Sequence, residues 1–260
     1  MISQEANQLL SRIAIEARQR WPEYSAYCAA RVSGLRQTAF AHLSAFITTI
    51  NGKSAAERRE FTDWLCLRVF EHESTSAALL PDPLLQRVLL PVISEWKLKT
   101  PREGVPFRWL GILLSQPGYQ GMRAGLSVPT PEVREALEAA VEIDPQDQIA
   151  LVRLIECTTG LLDYNAHHLP EGYLGDPVSD LQAAESAMRM CERIHNESER
   201  DRLRRELEIA MQLIADWSDC RRSSEDFREW CREHGRDYQW AIARVYVRTP
   251  EGSAEADATK

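Results

Sequence analysis

The chain has no long apolar run. None of its windows approaches the roughly 20 apolar residues that a membrane-spanning helix needs, so no membrane span is expected. Its opening stretch, MISQEANQLLSRIAIEARQRW, carries charge from the fifth position and lacks a continuous apolar segment, so no secretory leader is expected either. There is no CxxC pair. The six cysteines (Cys28, Cys66, Cys157, Cys191, Cys220 and Cys231) are scattered, several of them on apolar helix faces, which predicts reduced, buried thiols in a cytoplasmic protein. No basic run occurs and the net charge is −8, a poor basis for gripping a phosphate backbone, so no nucleic-acid partner is expected. HExxH, GxSxG and the kinase signature set are all absent, and the thiols have no visible nucleophile partner. Strand-like alternation is almost missing; only RVYVR, residues 244–248, has it.

Helical periodicity, by contrast, is everywhere. Leu9, Leu10, Ile13, Ala14 and Ala17 make a short apolar stripe that Pro22 ends. Cys28, Val32, Leu35, Ala39, Leu43, Phe46 and Ile50 then recur at threes and fours, predicting one long helix. Leu203, Leu207, Ala210, Met211, Ile214 and Trp217 give another such face, with arginines and glutamates around the rest. Start signals agree: Ser54 with Glu57, Ser179 with Gln182 and Asn196 with Glu199 read as capping boxes, and Thr130–Pro131 as an N-cap followed by proline at the first helical position. The expected class is therefore all-α, built from antiparallel helical hairpins.

Charge is unevenly spread. Residues 1–128 hold 15 basic and 11 acidic side chains, a balance of +4, whereas residues 129–260 hold 16 and 28, a balance of −12. The change falls at the Gly/Pro-rich stretch 117–130, which predicts an N-terminal helical region over 1–120 and a second region over 130–248. The small, polar tail 249–260 is expected to be disordered.

Within the second region, REALEAAVEIDPQDQIALVRL resembles the junction between two tetratricopeptide repeats. Ala140 and Pro145 stand at the spacing of that motif's late alanine and closing proline, and Leu154 is where the next unit has leucine. The following unit departs from the pattern at Leu151, Ile155 and Thr158, and HHLPEGYLGDP would be an insertion between paired helices. Over residues 130–195 the resemblance implies a stack of helical hairpins and names no ligand.

Three stretches invite a chemical reading. INGKSAAERREF ends like a phosphate loop at Gly52, Lys53 and Ser54, but Ile47 stands where a second glycine belongs and a helical stripe precedes it, so Ser54 is expected to cap a helix instead. Cys220, Cys231 and His234 lack a fourth zinc ligand and fit no zinc spacing, and Phe227, Trp230 and Cys231 fit a buried helix face. The third is NAHHLPEGYLGDP. As a site it offers Asp163, His167, His168, Glu171, Tyr173 and Asp176, which a bent segment can gather around a metal. As a loop, Leu169, Tyr173 and Leu174 fold back onto the helices, Pro170 and Gly172 set the turn, Asp176–Pro177 leads to a Ser179 cap, and the histidines bind helix-end carbonyls. The loop reading accounts for more of the residues.

Seven tryptophans are many for this length; Trp64 and Trp217 lie on apolar stripes and are expected in the core, and core is also the default for Trp230 and Trp240, with a partner surface near the end of the chain as the alternative. Together these features predict a non-catalytic interaction module, a scaffold or partner-sequestering protein, that needs no cofactor and binds a protein, with the acidic half favouring a basic one. The alternative is a metal-assisted enzyme centred on residues 163–176.

Overall fold

The computed structural model describes residues 4–70, 79–116, 130–223 and 226–238. Among them there is no strand, and the fold is all-α. None of the described helices is long and apolar enough to cross a membrane. The RVYVR run, Trp240, the tail 249–260 and most of the 117–130 stretch lie outside the described residues.

Helices α1 (Gln4–Ala17), α2 (Pro22–Val32), α3 (Arg36–Asn51) and α4 (Ala55–Phe70) open the chain. The stripe from Cys28 to Ile50 is two helices, not one. Gly34 adopts φ +73°, and the Leu35 and Gly34 amides turn back to the Ala30 and Arg31 carbonyls, closing α2 with a left-handed cap that glycine adopts without strain. Val32 and Leu35, which the continuous stripe would bury, are exposed at 37% and 55%. Periodicity runs across the break because the next helix resumes almost in phase. The core behind these helices is aromatic: Phe61 packs 4.6 Å from Phe46 and edge-on to Trp21 and Tyr24, each at 5.2 Å.

Ser54 caps α4 as expected. Its backbone amide donates to Glu57 Oε2 at 3.1 Å, and its hydroxyl receives the Glu57 amide at 3.3 Å. The hydroxyl and amide of Ser54, with Lys53 beside them, hold the Glu57 carboxyl below its ordinary range. Lys53 and Ser54 are thus engaged in local helix-start contacts.

α5 (Asp82–Leu84) runs through a π-helical turn at Leu85–Leu89 into α6 (Leu90–Lys99). The wide turn lies directly ahead of Pro91, whose missing N–H would otherwise interrupt the ladder. α7 (Gly104–Leu114) then packs closely on α8 (Pro131–Ile143). A Cβ on Gly111 would stand 2.7 Å from Leu137 Cγ, and one on Gly104 would stand 3.1 Å from the Ala140 carbonyl oxygen, so both glycines let the backbones approach.

α9 (Gln148–Ala166), α10 (Pro177–Cys191), α11 (Glu197–Ser223) and α12 (Phe227–Glu233) complete the described chain. One core cluster joins α1–α8 to the first half of α9 through Leu151 and Leu154. A second joins α9, α10 and α11 around Ile155, Ala184 and Leu207. A third closes the far end with Leu169, Trp217, Phe227 and Trp230. Trp230 is therefore a core residue, as the apolar face it shares with Phe227 and Cys231 predicts.

Candidate functional site

The histidine-bearing candidate, residues 163–176, is an ordered loop whose members go separate ways. α9 ends at Ala166, with His167 as its C-cap. His167 Nδ1 sits on the Tyr164 carbonyl oxygen, the helix-end contact expected for it, and its ring lies 4.2 Å from that of His168, which is exposed. Asp163 points outward from α9 and Glu171 is exposed in the turn. Among the described residues no three His, Cys, Asp or Glu side chains converge as a metal cage would require. Beyond the neighbouring rings of His167 and His168, Asp163, Glu171 and Asp176 are therefore not brought together with them.

Two of the named residues hold the local structure. Tyr173 donates its hydroxyl to Asp180 Oδ2 at 2.6 Å, and Asn165 Nδ2 donates to the same oxygen at 2.8 Å, with Asn165 and Asp180 both buried. Burial, then the bond to Asp180, pushes the Tyr173 hydroxyl well above its ordinary range. Gly175 lies against this group, and a Cβ there would collide with Asn165 and Asp180. Asp176 caps α10 by accepting from the Ser179 amide at 3.1 Å. The expectation of a Ser179 cap is thus corrected by three residues: Asp176 takes the role because Pro177, with its fixed φ and no N–H, suits the first helical position. Leu169 is buried as expected, but Leu174 is 49% exposed, since its backbone rather than its side chain is used, the amide donating to the Asn165 carbonyl at 2.8 Å.

A stability series separates these roles. Tyr173→Phe should cost about 1–3 kcal/mol, the worth of a hydrogen bond to a buried carboxylate. Leu174→Ala, and His167→Asn with His168→Asn, should each stay within about 0.5 kcal/mol, as surface changes do. A urea titration of the three proteins checks this; a large loss from the histidine pair would show that the rings hold the loop.

The cysteines lie in or against the helical core. Five are buried and Cys157 is partly so. Burial pushes the thiols of Cys28 and Cys157 to about 12 and those of Cys191 and Cys231 to about 11, far from the thiolate form at neutral pH. His234 Nδ1 is occupied by the Trp230 carbonyl oxygen at 2.8 Å and its ring stacks on Trp230 at 4.0 Å, while Cys220 and Cys231 sit in the third core cluster.

A groove of about 400 Å³ lies between α9 and α11. The two helices run in the same sense: Arg202 near the start of α11 pairs with Glu156 of α9 at 2.9 Å, and Leu213 further along α11 shares the third cluster with Ala166 at the end of α9. The floor is apolar, from Leu162, Ala210, Leu213 and Ile214. Glu156, Asp163 and Glu206 supply three carboxylates, and no cation is among the described residues that line the groove. Arg202 stands at one end, holding Glu156 and Glu206 (3.0 Å) as well as Glu199. Asp163, at the other end, has no ion pair or hydrogen bond among the described residues. Of the six residues singled out from sequence, it alone lines the groove.

Two further residues mark this groove. Ile209 is 62% exposed although it is a large apolar side chain. Gly160 stands in the interior of α9, where a Cβ would meet nothing within 4 Å. Glycine there costs the helix about 1 kcal/mol relative to alanine, and no packing among the described residues requires it. Both signals are present in the sequence, as an isoleucine on the polar side of the Leu203–Trp217 stripe and as a glycine inside a helical run. A larger hollow of about 590 Å³ is lined by Arg31 and Arg36 with Asp82 and is basic rather than acidic, and that between α8 and α10 mixes Arg134 and Arg193 with Glu138 and Glu142 and so has no net sign. Comparison with protein-family models, with curated proteins and with solved structures finds no match.

Proposed function

We propose that this protein is a non-catalytic interaction module whose α9–α11 groove takes a basic, partly apolar segment of another protein. The observation that carries the reading is the groove's composition: three carboxylates above an apolar floor, with Ile209 exposed beside it. An exposed large apolar side chain over an apolar hollow, beside a carboxylate with no ion pair among the described residues, is how this surface differs from its surroundings. On this reading α8 to α11 form a hairpin stack of the tetratricopeptide kind, with α9 and α11 lining one side of the stack and α10 behind them, and the protein acts as a scaffold or by sequestering its partner. The packing of α9 against α8, α10 and α11 is consistent with such a stack.

Gly160→Leu gives a diagnostic result, because it fills the groove while improving the helix. It should raise the unfolding free energy by up to about 1 kcal/mol and abolish capture of the partner. The experiment immobilises the intact protein, its Gly160→Leu variant and its Asp163→Lys/Glu206→Lys variant, and compares what each retains from a lysate at low and moderate salt. The expected partner is held by the wild type alone, weakens as salt rises, and is competed by a synthetic copy of its own basic segment. Identical capture by all three proteins would refute the groove as the binding surface.

A further inference from the structure

The groove has a candidate occupant within the chain. The last described residue, Tyr238, is held to α11 about one turn beyond Leu213: its hydroxyl donates to Asp216, and Arg236 pairs with the same carboxylate at 2.9 Å. Its ring packs on the third core cluster, which contains Ala166 and Leu213, two residues that also line the groove. The chain therefore leaves the described structure beside the Leu213 end.

Beyond Tyr238 the chain continues as QWAIARVYVRTP, residues 239–250. This segment holds five large apolar side chains, Trp240, Ile242, Val245, Tyr246 and Val247, together with Arg244 and Arg248 and no acidic residue. In a half of the chain whose charge balance is −12, it is a basic and apolar island. Its composition complements the groove in both respects, apolar floor and carboxylate rim. Length permits the match: the seven steps from Glu206 to Leu213 span about 10 Å of helix, and ten residues of chain reach up to about 33 Å.

We infer that the α9–α11 groove is the docking site of the protein's own segment Trp240–Arg248, which covers the apolar floor and sets its arginines against Asp163 and Glu206. This rests on the reading of the groove as a binding surface and adds a regulation to it: a partner's basic segment must displace the chain's own. The docking is intramolecular, so its effective concentration is high, and a partner gains access only by binding more tightly than the tethered segment at that concentration.

The test uses full-length proteins and a fluorescein-labelled synthetic peptide of residues 239–250, read by fluorescence anisotropy. One protein is the wild type. The other carries Trp240→Ser, Ile242→Ser, Val245→Ser and Val247→Ser, which should vacate the groove. The peptide should bind the serine variant saturably and the wild type at least about tenfold more weakly, the expected consequence of a tethered competitor. Adding Asp163→Lys and Glu206→Lys to the serine variant should weaken peptide binding about tenfold, as reversing two charge pairs would. A scrambled peptide should not bind. Should the serine variant melt early, the chain with Arg244→Glu and Arg248→Glu replaces it in the same comparison.

Equal affinity for wild type and vacated protein, or no saturable binding to the latter, overturns the self-docking. Lysate capture by the same proteins separates this failure from the wider one. If partner capture still depends on Asp163 and Glu206 but is the same with and without the tail substitutions, the groove reading stands and self-docking falls. If capture ignores Asp163 and Glu206 as well, both fall.

Discussion

Trp109→Ala should lower the unfolding free energy by about 3–5 kcal/mol, the range for truncating a buried tryptophan. Trp109 is fully buried on α7, and three kinds of contact end on its indole. Its Nε1 donates to Asp63 Oδ1 of α4 at 2.7 Å, the Arg108 guanidinium lies over its ring at 4.2 Å, and Phe70 packs alongside. Arg108 in turn pairs with Asp147 at 2.8 Å, and Asp147 caps α9 through the Ala150 amide. The substitution would open a cavity where α4, α7 and the start of α9 meet, and would strip Asp63 of a donor and Arg108 of its aromatic face. A change of this size is a large part of the total stability of an ordinary domain, and for a chain of this length it should lower the melting midpoint by roughly 10 °C. Trp109→Phe keeps most of the ring and loses the N–H, so it should cost less, about 1–2 kcal/mol. Urea unfolding of both variants decides. A Trp109→Ala cost below about 1 kcal/mol would mean that this junction is not part of the core.

Leu207→Ala comes next, with about 2–5 kcal/mol lost. Leu207 is fully buried in the second cluster, between α9 and α10 on one side and its own helix on the other. Several of its neighbours are small: Ala184 and Ala187 have no rotamer with which to swing into the space, and Ile155 is stiff at χ1. The cavity should therefore persist, and the cost should fall toward the upper end of the range. Because Leu207 and Trp109 belong to different clusters, their costs should add to within about 0.5 kcal/mol in the double variant. A loss under about 0.5 kcal/mol from Leu207→Ala alone would place that face of α11 on the surface.

Much of the fold was legible because helices bury one stripe, and a stripe with a 3.6-residue period is written directly into the chain. Leu9–Ala17 and the Leu203–Trp217 face both lie where the periodicity puts them, with Met211 and Ala210 only partly buried at the margin. Caps were legible where both partners are close in sequence, as at Ser54 with Glu57 and at Asn196, whose Oδ1 accepts from the Glu199 amide at 3.1 Å. The reading failed where one local signal competed with another. Gly34 lay inside an apolar stripe that stayed nearly in phase across it, and the stripe outweighed the glycine. At 176–179, serine three residues ahead of glutamine reads as the helix start, but Pro177 sets the start three residues earlier, with Asp176 as the cap.

Composition and periodicity by themselves determined that this chain is helical, where many of its helices begin and end, and which face of each is apolar. They did so because hydrogen bonding within a helix is local and the apolar stripe needs no knowledge of what will cover it. Only tertiary structure decided which faces meet. Asp63, Arg108, Trp109 and Asp147 are scattered over 85 residues of sequence and form one contact group. Asp163 left the histidine loop for a groove wall, facing residues of α11 more than forty positions away. The loop drew attention because its residue types are conspicuous. The groove did not, because a surface made by two helices has no signature in either one until packing sets Glu156, Gly160 and Asp163 opposite Glu206, Ile209 and Leu213.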